Sequence, residues 1–224
     1  MAFFTEDFLH FFIELAPNNN KDWFDLNRKR YESSVKKPFA DFVGHMLQKL
    51  AAHNKSFKDL SPSDCIFRIN RDIRFSKDKT PYKMTTSAVL APNGKKSMAV
   101  NGIYFELGPE AVSVYAGVYE ADKDQVLDIR EGIAANQKEF SKLINDPKFK
   151  ELFGEVRGEK NKIIPSDLKE AAAQQPLIFN KQWYFKADFA PEIVLDNNLD
   201  GILENCFIVA KPLEKFFNKF IHRT

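Results

Sequence analysis

The chain has 224 residues, of which 44% are hydrophobic and 29% charged, and its formal net charge is +2. That length can hold one large or two small domains with a substantial core. A near-neutral total gives the molecule as a whole no field suited to nucleic acid or a membrane, so only a local patch could supply one.

Phenylalanine contributes 22 residues against 6 Tyr and 2 Trp. Each buried ring removes a large apolar area from water, so Phe is expected to carry much of the core. Cys65 and Cys206 lie far apart and have no Cys-x-x-Cys or Cys/His spacing. Buried, reduced thiols in a cytoplasmic protein are the default expectation, with one disulfide as the alternative. The first residues lack a basic segment followed by an apolar run, so no signal peptide is expected. No apolar run nears the roughly 18 residues of a transmembrane helix. No membrane partner, cofactor or metal is expected.

In chain order, Thr5 is placed to cap a first helix with Phe8, Phe11, Phe12 and Leu15 on one face. Asn20 is placed to cap a second, carrying Trp23, Phe24, Asn27 and Tyr31. A break is expected over Ser33 to Pro38, with Pro38 in the first turn of a third helix whose apolar face runs through Phe39, Phe42, Val43, Met46, Leu47 and Leu50. From Cys65 the pattern turns to strands. Asn93-Gly94 between Ser87–Pro92 and Ser97–Gly108 signals a hairpin, and Gly108–Ala111 a second turn into Val112–Glu120. Asp122 or Asp124 opens another helical region, Asp146-Pro147 starts a short helix, and Gly154–Pro165 has room for a short strand or hairpin. Gln182–Phe189 alternates as a late strand. Asp196–Ile221 reads as a final helix kinked or restarted at Pro212. The expected architecture is one α+β domain over residues 1–224: a helical layer at about 4–54, a mostly antiparallel sheet at about 64–120 and a mixed part at about 121–224, with N-terminal and C-terminal helices packed on the sheet.

The most concentrated chemistry lies in Phe67–Lys83, where Arg68, Arg71, Arg74, Lys77, Lys79 and Lys83 face only two acids, Asp72 and Asp78. As an extended strand it would place Cys65, Phe67, Ile69, Ile73 and Phe75 on one face, interrupted by Arg71. Arg68, Asn70, Asp72, Arg74 and Ser76 would line the other.

Three stretches resemble an uncharacterised bacterial family, the domain-of-unknown-function family numbered 2461. They are Asn18-Asn19-Asn20-Lys21-Asp22-Trp23-Phe24 with Asn27, Arg28 and Tyr31; Phe67–Lys83; and Gly102–Phe105 with Tyr115–Tyr119. The resemblance spans nearly the whole chain and implies its fold, but no reaction. In the C-terminal half the family tends to show Arg-x-Pro-x-Gly and Asp-His-Pro. Here Lys162-Ile163-Ile164-Pro165-Ser166 and Gln174-Gln175-Pro176 stand in the similar places, so no role resting on that Gly or His carries over.

The leading functional expectation is recognition of a small anionic metabolite by Arg68, Arg71, Asp72, Arg74, Lys79 and Lys83, with Tyr104 or Tyr115 as a wall. Arginine offers a bidentate fork and lysine a mobile point charge. In that scheme Arg68 and Arg74 bind the anion and Asp72 orients an arginine. Arg71 either joins them across a β-bulge or anchors the strand from behind. The competing expectation is a purely structural ion-pair network. An enzyme acting on a phosphorylated or carboxylated molecule is an alternative, with Asp72 as base and Tyr104 or Tyr115 as proton donor, although a carboxylate between cations suits a persistent anion better. No nucleophile elbow, phosphate-binding loop, dinucleotide fingerprint or zinc-protease helix is present. His10, His45, His53 and His222 are scattered and read as surface or boundary residues. The other alternative is a nucleic-acid or protein adaptor in which Phe75 and Tyr82 stack while the cations, with Lys95 and Lys96, follow a phosphate backbone. The near-neutral balance argues against nucleic acid.

Overall fold

The computed structural model describes residues 2–96 and 102–221. Its helices are α1 (Glu6–Leu15), α2 (Lys21–Leu26), α3 (Arg28–Arg30), α4 (Lys37–Leu50), α5 (Pro62–Cys65), α6 (Lys123–Ala135), α7 (Gln137–Ile144), α8 (Pro147–Phe153), α9 (Lys169–Gln174) and α10 (Leu199–Asn218). The strands are β1 (Thr86–Leu90), β2 (Ile103–Leu107), β3 (Val112–Val118) and β4 (Trp183–Phe189). They form an antiparallel sheet in the order β1-β2-β3-β4, so the fold is α+β with helices at both ends of the chain. The chain divides into two compact units. The first comprises residues 1–95, 104–114 and 188–204, and the second residues 96–103, 115–187 and 205–224.

In the first unit the helical periods bury the residues expected of them. Phe8, Phe11, Phe12 and Leu15 of α1 are buried, as are Phe39, Phe42, Val43, Met46, Leu47 and Leu50 of α4. Phe carries this core: the Phe4 ring lies 4.6 Å from Phe8 and 5.5 Å from Phe42, and Phe39 and Phe42 reach Phe105 of β2 at 5.7 and 6.0 Å. Thr5 stands at the N-cap of α1 without a side-chain cap bond; its carbonyl accepts from Phe8 N–H at 2.9 Å. Asn20 does cap α2, accepting from Trp23 N–H at 3.0 Å.

Ser33–Pro38 is not a break. A π-helical segment, Tyr31–Lys36, carries the chain directly into α4. Proline lacks an N–H and clashes with the carbonyl four residues earlier. A widened turn before Pro38 absorbs both problems while the backbone stays helical. Along the other face of α4 and the first turns of α10 runs a ladder of charge. His45 and Lys49 reach Asp200 at 2.9 and 2.8 Å, and Lys49 and His53 reach Glu204 at 3.1 and 2.8 Å. His222 lies outside the described residues.

The second unit is also aromatic inside. Phe149 and Phe153 meet Phe185 of β4 at 5.0 and 4.8 Å, and Phe140 meets Phe216 at 5.3 Å. Buried Trp183 donates its indole N–H to the Leu177 carbonyl at 2.8 Å. Asp122 caps α6 in a reciprocal pair with Gln125, and Asp146 caps α8 through Lys148 and Phe149 N–H. Instead of a short strand, Gly154–Pro165 makes two isolated antiparallel bridges, Arg157 to Tyr184 and Lys160 to Asn180. α10 begins at Leu199 and runs unbroken through Pro212. Pro212 and Ile208, four residues earlier, are both on the exposed side, so the lost backbone bond faces water, where it costs least.

The Asn93-Gly94 signal marks a turn, but not a two-residue hairpin. β1 stops at Leu90, a short 3₁₀ turn covers Gly94–Lys96, and β2 starts only at Ile103. The 97–101 part of the expected second strand lies outside the described residues. Cys65 and Cys206 are both free and buried.

Candidate functional site

Phe67–Lys83 is an irregular hairpin rather than a strand. Phe67 N–H donates to the Ser87 carbonyl at 3.0 Å, Lys83 N–H to Ile69 at 2.8 Å and Arg71 N–H to Pro81 at 2.8 Å. Among the described residues it makes one isolated bridge, Asn70 to Tyr82, and Ile66 just before it bridges to Ala88. Pro81 has no N–H to give to a ladder, and a turn closed by Ser76 N–H on the Ile73 carbonyl at 3.3 Å reverses the chain. The alternation of faces holds up to that turn, with Ile69 buried, Arg71 half-buried, and Arg68, Asn70, Asp72 and Arg74 exposed. It then fails. Phe75, expected in the core, is 95% exposed at the tip, because the turn flips the phase before the alternation reaches it.

Asn19 tethers the hairpin to the N-terminal helices. Its side-chain amide donates to the Tyr82 carbonyl at 2.9 Å and its oxygen accepts from Tyr82 N–H at 3.0 Å, as a neighbouring strand would. The Tyr82 ring stacks on Phe24 at 4.0 Å and 16°. The sequence pattern singled out Asn20 as a cap and gave Asn19 no distant partner, so this clamp was missed. The available signal was that one cap needs only one of three asparagines. Tyr82 is therefore buried and cannot stack on a base. Lys95 is committed too, donating to the Ser63 and Ile66 carbonyls at 2.7 and 3.0 Å at the end of α5.

The charges on the hairpin sort into two groups. Arg71 anchors it from the inner side, its guanidinium bonded to the Asp78 carboxylate and the Thr80 hydroxyl, and to the Thr80 carbonyl at 3.2 Å. Thr80 N–H, at 2.9 Å, and Arg71 hold the Asp78 carboxyl down at about 2. Asp72 grips Arg74 with both oxygens, the closest contact being Nη2 at 2.6 Å, and that guanidinium holds the Asp72 carboxyl below the ordinary range. Asp72 thus orients Arg74, but it also fills the fork that an external anion would use.

The second group has no carboxylate in an ion pair among the described residues: Arg68, Lys77, Lys79 and Lys83. Lys79 donates to the Ile73 carbonyl at 3.0 Å. Lys83 sits 5.5 Å over the Phe67 ring, which meets the Tyr104 ring at 5.7 Å. Tyr104 in turn donates to Glu106. Six expected site residues, Arg68, Arg71, Asp72, Arg74, Lys79 and Lys83, therefore share one hairpin, and Tyr104 joins at its base through Phe67. Tyr115 belongs to the second unit, with Lys186 5.2 Å over its ring. Residues 67–83 carry four net positive charges while the rest of the chain carries two net negative ones. A local field of that sign attracts anions even though the total is close to neutral.

Residues 7–216 match a family model described as a conserved hypothetical protein, DUF2461. No curated protein matches the chain. Among the described residues, no helix is long and apolar enough to cross a membrane.

Proposed function

The chain belongs to the DUF2461 family, and we propose that it recognises an anionic group, a phosphate or a carboxylate, through the basic hairpin of residues 67–83. The observation that carries this reading is the surplus left after the internal pairs form. Asp72 and Asp78 neutralise Arg74 and Arg71, and four exposed or half-exposed cations remain on the same short segment. The bidentate seat of Asp72 on Arg74 shows the geometry that guanidinium offers to any planar or tetrahedral anion. Free, buried Cys65 and Cys206, whose thiols burial pushes up to about 11 and about 12, support a reducing compartment and with it a cytoplasmic location.

The test is thermal unfolding with inorganic phosphate, pyrophosphate or citrate, each against sodium chloride at matched ionic strength. An anion bound by the native state alone must raise the midpoint. The expected result is a rise with at least one of them, absent from a folded Arg68→Glu/Lys77→Glu variant. Midpoints indistinguishable from the chloride control would overturn the proposal.

A further inference from the structure

Phe75 is the most exposed of the large hydrophobic side chains described, at 95%. It is not a stray residue on a loose loop. The segment spends its polar groups on holding its own shape: Asp72 on Arg74, Arg71 on Asp78 and Thr80, and Lys79 on the Ile73 carbonyl. What it then presents to water is one apolar ring, with the Arg74 guanidinium 5.9 Å over its face and exposed Lys77 and Lys79 two and four residues further along the chain. We propose that this tip docks on an anionic membrane surface, Phe75 entering the headgroup boundary while Arg68, Lys77 and Lys79 meet lipid phosphates and carboxylates. This rests on the anion reading above and names the carrier of the anion.

Charge and shape favour this occupant. A negatively charged leaflet attracts clustered Lys and Arg within about a Debye length of its surface, and a single inserted ring adds an apolar contribution that salt does not screen. Single-stranded nucleic acid fits less well, because it needs successive stacking faces along a basic groove. Tyr82 is buried against Phe24 and Phe67 is half-buried with Lys83 across it, so Phe75 is the hairpin's only exposed aromatic side chain. The expectation of no membrane partner rested on the near-neutral total and the lack of a long apolar run, and it left a local patch open. The hairpin is such a patch, with four net positive charges against two net negative ones on the rest of the chain.

The experiment is co-sedimentation of the full chain with vesicles containing about 30% phosphatidylserine in phosphatidylcholine, or phosphatidylcholine alone, at about 0.1 M and about 0.5 M sodium chloride. Wild type, Phe75→Ser and Phe75→Trp are compared, the last by fluorescence over the background of Trp23 and Trp183. Phosphate and pyrophosphate melts and a thymidine oligonucleotide run in parallel. The expected result is binding only to the anionic vesicles and only at low salt. Phe75→Ser should bind about tenfold more weakly, and Phe75→Trp emission should shift to the blue. Equal binding by Phe75→Ser, or binding of the oligonucleotide and not of vesicles, overturns the inference. If vesicles fail while pyrophosphate still raises the midpoint, the membrane assignment falls and anion recognition stands. If neither has an effect, both fall.

Discussion

Replacing Gly117 with alanine is expected to destabilise the protein by about 3 kcal/mol or more, read as a fall in denaturant midpoint with an unchanged slope. Gly117 sits in β3 with φ +94, a conformation that residues with a Cβ rarely adopt. A Cβ built there would lie 2.4 Å from the Trp183 carbonyl oxygen, 2.9 Å from the Phe185 ring and 3.0 Å from the Tyr184 Cα. Two of those three neighbours are backbone of β4, which cannot yield without opening the ladder, and the third is a buried ring of the same core. Gly154→Ala is the control. It too has a positive φ, +74, but its Cβ would meet nothing within 4 Å. It should cost about 2 kcal/mol of conformational penalty alone, since φ +74 with ψ −75, closed by Glu155 N–H on the Phe153 carbonyl, is a strained γ-turn. Equal losses at the two positions would show that close approach of β4 is not what requires Gly117.

Glu214 produces the second large effect, on the pH dependence of stability. Its carboxyl is completely buried in α10 and accepts a hydrogen bond from Gly102 N–H at 3.0 Å. Burial pushes it up to about 8 from an ordinary value of 4.5, against the smaller pull of the Gly102 bond and Lys211. Between those values the folded chain holds a proton that the unfolded chain has released, so stability falls as pH rises through that window and is flat on either side. The loss between pH 5 and pH 8 should be on the order of 3 kcal/mol. Glu214→Gln keeps the shape and neutrality of the protonated acid and can still accept from Gly102. Denaturation at a series of pH values should show that slope in the wild type and its absence in the variant. An unchanged slope in Glu214→Gln would assign the proton to another group.

Where burial follows a repeating pattern, the sequence was readable. Helix α4 repeats its apolar residues for nearly four turns, and β4 alternates Trp183, Phe185 and Ala187 against Tyr184 and Lys186, so face and element type followed directly. Local chemistry with one partner at a fixed spacing was readable too, as at the Asn20, Asp122 and Asp146 caps. Contacts between distant segments were not. Nothing local distinguishes Asn19, which clamps Tyr82 63 positions away, from Asn20, which caps its own helix. Lys95 and Lys77 look alike as basic loop residues and both are exposed, yet only Lys95 is held by the carbonyls at the end of α5. Phe75 fits the inward phase of a strand until a turn, set by backbone geometry rather than hydrophobicity, places it outside. The concentration of charge at residues 67–83 was therefore legible along the chain, while the division of its cations into paired and unpaired depended on three-dimensional contacts.

The competition between Asp72 and an external anion for Arg74 gives the most direct test of anion recognition. Asp72→Asn removes the carboxylate that occupies the guanidinium and adds one net positive charge to the hairpin, at an exposed position where the fold has little to lose. Titrating pyrophosphate into wild type and Asp72→Asn, both checked for folding by circular dichroism, should show the variant binding about threefold more tightly, since an exposed ion pair that must be displaced weakens binding by roughly that factor. A folded Asp72→Asn that binds pyrophosphate no better than the wild type, or less well, would contradict the account and leave the hairpin charges as scaffolding.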